Sequence, residues 1–189
     1  MELIEAIKTR CSIRKYQTTP VDDRTVEFVL EAARLAPSWA NTQCWRFIVV
    51  RDSNIKAKLA ETLKPHTETI NPASQAIKDA PVVIVACAEL GKSGYNARYD
   101  KPVTDKGEYW YMFDVALAMH NLSLAAHSLG LGTIHVGLFD AQKAAKILKV
   151  PAGFCVVEMM PLGYPAEKLR IRPRKELAEM VFYDKFGVK

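Results

Sequence analysis

The chain has 189 residues, 49% of them hydrophobic and 25% charged, the make-up of a soluble globular protein of ordinary single-domain length, here taken as one domain over 1–189. No apolar run reaches the ~20 residues of a membrane helix, and the acidic start Met1-Glu2-Leu3-Ile4-Glu5 lacks the basic flank of an export signal, so a cytoplasmic protein is expected. The net charge of +5 gathers at 10–15 and 168–175, not in one stripe interleaved with aromatics, which suits an anionic cofactor better than nucleic acid.

Leu3, Ile4 and Ile7 share one side of a short helix over 2–9, which ends at Arg10-Cys11-Ser12-Ile13-Arg14-Lys15-Tyr16. Two guanidinium forks four residues apart, around a hydroxyl, suit phosphate and carbonyl oxygens. Past Pro20, Asp22 and Asp23 are candidate caps of a helix carrying Val26, Val29, Leu30 and Ala33 and closed by Pro37. Residues 37–45, rich in amides and indoles, show no periodicity and predict a binding loop. A strand over 46–51, a helix capped by Ser53 with Ile55, Leu59 and Leu63 on one face, and a short helix over 74–79 follow. The continuously apolar run 82–88 predicts a central strand covered on both faces.

From 90 to 107 the pattern is lost, marking a candidate lid or pocket wall. Glu108 to Leu129 predicts about six turns of helix, apolar on most sides and buried in a core or a subunit interface. Gly130-Leu131-Gly132 is its C-cap. An extended segment over 133–139, a helix capped by Asp140 and running to Leu148, a strand over 153–160 and a last helix near Leu177 complete an α+β layer fold.

Several familiar chemistries are missing. The Gly130-Leu131-Gly132 run has His135 where a dinucleotide fingerprint needs glycine, and a helix precedes it instead of a strand. His66, His120, His127 and His135 lack metal-ligand spacing; His120 and His127 share a helix face about 10 Å apart along its axis, too far to share an ion. No G-x-S-x-G elbow occurs. Cys11, beside two arginines, is a candidate thiolate, or a small residue whose backbone N–H is the useful group. Cys11, Cys44, Cys87 and Cys155 form no C-x-x-C pair and read as free thiols.

The ordered set R-x-S-x-R, A-P-S-x-x-N-x-Q-x-W, G-L-G-T-x-x-x-G-x-F-D, P-L-G-Y-P and R-P-R, from Arg10 to Arg174, resembles the FMN-dependent nitroreductase family. The resemblance implies an α+β fold with a mixed or antiparallel sheet flanked by helices, in an intertwined homodimer with tightly bound FMN at the subunit interface. Arg10, Cys11, Ser12 and Arg14 match positions around the FMN phosphate, ribityl chain and ring edge, Cys11 through its backbone. Pro37, Ser38, Trp39, Asn41 and Gln43 match a loop that reaches the flavin from the partner subunit. Ile134, His135, Val136 and Gly137 match a segment beside the ring, and Arg172 and Arg174 match late residues that close on the phosphate.

The implied activity is NAD(P)H-dependent reduction of nitroaromatics, quinones or similar small aromatic acceptors, with hydride entering and leaving at flavin N5 and no protein nucleophile or metal. Alternatives are a specialised flavin reaction (dehalogenation, ring dehydrogenation or flavin breakdown) or a non-catalytic basic binding module. Cys11, Trp39 and Cys44 depart from the common pattern and bear on cofactor grip and substrate choice.

Overall fold

Three helices, those opening at Asp23, Ser53 and Ala141, begin behind an aspartate whose carboxylate accepts a first-turn amide. The computed structural model describes residues 1–65, 71–96, 98–168 and 170–188, so His66 lies outside the described residues. Helix α1 spans Leu3–Thr9 and α2 spans Asp23–Arg34, the latter capped by Asp22, which accepts from Thr25 N at 2.9 Å. Strand β1 is Trp45–Val50 and helix α3 is Ser53–Ala60. The cap of α3 is Asp52 and not Ser53. Asp52 has extended backbone and accepts from Ile55 N at 2.9 Å, whereas Ser53 is already helical. Leu63 also lies outside α3: the helix stops at Ala60, and Leu63 instead bridges Phe139.

Helix α4 (Ala73–Asp79) leads into strand β2 (Val82–Glu89). The segment expected to be patternless holds a two-residue ladder, β3 (Tyr95–Asn96) against β4 (Lys101–Pro102). A 3-10 turn over Gly107–Tyr109 precedes α5, Trp110–Ser128, whose 19 residues make about five turns rather than six. Gly130 ends it with φ of 77°: Leu131 N donates to Ala126 O at 2.9 Å and Gly130 N to His127 O at 3.0 Å. That bond pair is a Schellman motif and needs a left-handed residue at Gly130.

Strand β5 is only Gly132–Thr133, helix α6 is Ala141–Leu148 behind an Asp140 cap, strand β6 is Phe154–Gly163, and α7 is Leu177–Met180. Of the extended segment 133–139, Val136 makes one further bridge, to Met159. The last strand runs three residues past its expected end because Leu162 and Gly163 pair with β5.

The sheet order is β1-β2-β6-β5, antiparallel throughout. β2 is buried from Val82 to Ala88, as its unbroken apolar run requires. Its side chains alternate between two cores. Val83, Val85 and Cys87 pack with Leu59, Ile77 and Ala144 from α3, α4 and α6. Val82, Ile84 and Ala86 pack with Val29 of α2 and Ala118, Met119 and Leu122 of α5. The apolar side of α1 stays uncovered in one chain, with Leu3 at 63% and Ile4 at 60% exposure. Among the described residues no helix is long and apolar enough to cross a membrane.

Candidate functional site

After α1 the chain runs along the free edge of β5. Ser12 forms a parallel bridge with Thr133, and Ile13 N donates to Thr133 O at 2.9 Å. Extended backbone alternates its side chains, so Ile13 enters the core while Ser12 and Arg14 face outward. The approach depends on Gly132, where an added Cβ would stand 2.7 Å from Ile13 Cβ. Tyr16 closes the turn by donating its hydroxyl to Ile13 O at 2.8 Å; burial drives its phenol pKa well above the ordinary value. Thr9 Oγ1 lies 2.8 Å from His127 Nε2, tying the end of α1 to α5.

The C-terminal segment returns to the same place. Gln17 N donates to Tyr164 O at 2.8 Å and Ala166 N to Lys15 O at 2.9 Å. The following residues thereby meet the N-terminal cluster across a cleft of about 530 Å³, lined by Arg10 to Lys15, Glu167, Lys168, Arg170, Arg172 and Arg174. Seven of those side chains are cationic. The one acid, Glu167, accepts from Arg14 N at 2.8 Å and Lys15 N at 3.3 Å, so it engages backbone amides and leaves the guanidinium heads free.

A second pocket, about 280 Å³, adjoins the first at Arg14 and is lined by Asn71 to Ala73 and Ile134 to Leu138. It is mostly uncharged. Val136 N donates to Met159 O at 3.0 Å, so a backbone donor to a ligand in this segment must come from a neighbour of Val136. His135 Nδ1 lies 2.6 Å from Glu158 Oε1 on β6. Asn71 accepts from Ala73 N at 3.0 Å and donates to Lys64 O at 3.2 Å, shaping the turn into α4.

Ten predicted residues thus converge: Arg10, Cys11, Ser12, Arg14, Ile134, His135, Val136, Gly137, Arg172 and Arg174. The other five do not join them within one chain. Pro37, Ser38, Trp39, Asn41 and Gln43 line neither pocket; Gln43 faces a separate shallow groove with Trp45 and Phe47. Trp39 N points at both carboxylate oxygens of Asp114, at 3.2 and 3.1 Å, and its ring meets Trp110 edge-on at 5.0 Å between centroids. Gln43 N donates to Ser38 Oγ at 2.9 Å.

Sequence reasoning missed Asn71, Glu167 and Asp114. Asn71-Pro72 is a turn dipeptide that could have flagged the pocket wall. Asp114 is the one acid in the largely apolar α5, a signal in itself, and it is buried. Cys44, whose Sγ is 4.0 Å from Asp114 Oδ2, has its thiol pKa pushed up to about 11 by burial and by that carboxylate. Nothing in the local pattern marks Glu167.

The chain is similar to known proteins in sequence and in fold. The model of the nitroreductase family matches residues 7–164. A Methanothermobacter thermautotrophicus protein whose name pairs NADH dehydrogenase with NAD(P)H nitroreductase is 34% identical over 88% of this chain and 79% of its own. A 5,6-dimethylbenzimidazole synthase of Rhodospirillum rubrum is 30% identical over 84% of this chain and 80% of its own. Among solved structures, a nitroreductase family protein of Clostridium novyi superposes with a TM-score of 0.78 at 32% identity, covering 100% of this chain and 96% of that one. An FMN-dependent nitroreductase of Clostridium difficile gives 0.77 at 26% identity, covering 97% and 99%. Arg172 and Arg174 fall beyond the family match, so their case rests on the cleft they line.

Proposed function

The chain belongs to the nitroreductase family, and from that premise we propose an FMN-dependent oxidoreductase that takes electrons from NAD(P)H and passes them to nitroaromatics, quinones or similar acceptors. The observation that carries this reading is a cleft with seven cationic side chains opening, at Arg14, into an uncharged pocket. A flavin mononucleotide has the same division: a phosphate of nearly two negative charges at one end and a flat ring system at the other.

Arg10, Ser12, Arg172 and Arg174 would hold the phosphate through charge-assisted hydrogen bonds, with Cys11 contributing its backbone. Arg14 stands at the junction, where its guanidinium suits the carbonyl edge of the ring and favours negative charge there. Ile134 to Gly137, with Asn71, form the ring wall. When bound, FMN supplies hydride transfer at its N5. The chain's own task is to bind, orient and exclude water.

The full site takes two copies. The five loop residues sit away from the cleft of their own chain, so they would serve the flavin of the partner subunit. A homodimer also accounts for the uncovered apolar surface: Phe113 of α5 is 58% exposed and Phe186 near the C-terminus 92%. We read residues 1–189 as one FMN-binding domain and place it in the cytoplasm, where the four free cysteines would stay reduced.

Purified protein should be yellow, run as a dimer, and turn over NAD(P)H with a quinone or a nitroaromatic by ping-pong kinetics. A colourless protein that takes up no added FMN sinks the proposal. The synthase relative supports a second reading, a specialised flavin reaction on the same fold. Sustained turnover of NAD(P)H with a simple quinone argues against it, while flavin reduction with no acceptor turnover favours it.

A further inference from the structure

We propose that Asp114 is a positioning residue that locks the amide-and-indole loop 38–43 and ties it to the 90–107 segment, so that the two move as one unit. The consequence for flavin binding rests on the function proposed above; the tie itself does not. A buried carboxylate is costly unless its oxygens are satisfied. Asp114 is 1% exposed and no cation pairs with it among the described residues. Its donors come from two distant stretches of chain: Trp39 N–H in the loop, with the Cys44 thiol just beyond it 4.0 Å from Oδ2, and the Ser93 hydroxyl, itself buried, in the segment.

Trp110, one turn earlier on the same face of α5, repeats the pattern. Its ring meets Trp39, and its Cβ lies where a Cβ on Gly94 would come within 2.5 Å. Two neighbouring side chains of one helix therefore each grip the same two segments. The loop needs a grip. Ala40, Asn41 and Gln43 have φ of 44°, 56° and 47°, left-handed values that non-glycine residues adopt at a cost and keep only where surroundings impose them. The loop's own bonds, Asn41 N to Ser38 O at 3.1 Å and Thr42 N to Trp39 O at 2.9 Å, close it on itself but do not hold it to the body. Asp114 and Trp110 do, together with Arg46 of β1, whose Nη1 donates to Gln43 O at 3.1 Å at the loop's end.

Amide hydrogen exchange on the dimer tests the tie with no cofactor present. Asp114→Ala, which leaves the Trp39 N–H and the Ser93 hydroxyl without their shared acceptor, should speed exchange in 38–43 and 90–96 together. Exchange that rises in one segment alone, or in neither, overturns the proposal. FMN affinity, read by fluorescence quenching on folded dimer, should fall about tenfold in Asp114→Ala. Ala40→Gly added to it should recover part of the loss, because glycine takes the left-handed conformation without strain.

An unchanged affinity, or no recovery, also overturns the proposal. If wild-type protein binds no FMN, the functional reading fails and the exchange result alone decides the tie. If Asp114→Ala does not fold, Ser93→Ala carries the test. Faster exchange in 90–96 spreading to 38–43 supports the tie, and exchange confined to 90–96 refutes it.

Discussion

The basic cleft and the loop pinned to α5 are built on opposite principles. In the cleft, backbone is held by the sheet edge while side-chain charge is left over: among the described residues Arg10, Arg14, Arg172 and Arg174 carry no salt bridge. In the loop, residues 38–43 carry no charge and the backbone amides of Trp39, Asn41, Thr42 and Gln43 are engaged, with strained backbone held by a buried carboxylate. A site that captures an anion needs unsatisfied donors at its surface. A loop that, as proposed, presents neutral amides to a partner subunit needs rigidity instead, which bonds that never touch a ligand can supply.

Substitutions that hit one region and spare the other test this contrast. The largest effect is expected from Arg14→Ala, which removes a guanidinium shared by both pockets. Losing hydrogen bonds to charged groups costs about 1.5–3 kcal/mol, so FMN affinity by fluorescence titration should fall about ten- to hundredfold with melting temperature little changed. Retention equal to wild type would refute the assignment. Raising ionic strength should weaken uptake in the same direction, since exposed charges are screened.

Gly132→Ala comes next and attacks the backbone under the cleft. Its Cβ would meet Ile13 Cβ, Cγ1 and Cγ2 at 2.7, 2.7 and 2.8 Å, so β5 and the 10–14 segment must part. Overpacking of this kind costs about 1–3 kcal/mol. Thermal melting should show that loss together with weaker FMN binding, while amide exchange in the 38–43 loop stays as in wild type. A loop that loosens as well would mean the two regions are not independent.

The smallest effect concerns pH. Burial and the Arg10 charge hold the His127 imidazole pKa below its ordinary value, against an opposing pull from Glu5. The unfolded chain then binds more protons than the folded one as pH falls through about 6.5, so stability drops with acidification and the loss levels off below the folded pKa. His127→Gln removes this term. Its melting temperature should differ from wild type less favourably at pH 8, where the Thr9 contact of the neutral ring is intact, than at pH 5, the two differences separated by under about 4 °C. Equal differences at both values would show that His127 does not titrate against stability.

Element types were legible because they are local. Val82 to Ala88 has the unbroken apolar run of a strand covered on two faces, and Asp22 and Asp140 stand where a carboxylate reaches the third helical amide. Errors occurred where two local signals competed. Ser53 and Asp52 are both capping residues, and Leu63 fits the helical spacing of α3 but pairs with Phe139, 76 positions away by number (139 − 63). Ordered motifs carried the family and the fold, and the family match over 7–164 agrees with them.

By itself the sequence determined the α+β class, the central strand, the cluster at 10–14 and the family to which the chain belongs. Only tertiary structure decided that residues 10–14 with Arg172 and Arg174, and residues 134–137, line two pockets that meet at Arg14, while 37–43 line neither. It also brought in Asn71, Glu167 and Asp114. The joining contacts run from Ser12 to Thr133, Lys15 to Ala166 and Trp39 to Asp114. Periodicity and capping act over a few residues and prescribe local backbone. Such distant hydrogen bonds form only once both cores have packed and set the strand register, so no local pattern announces them.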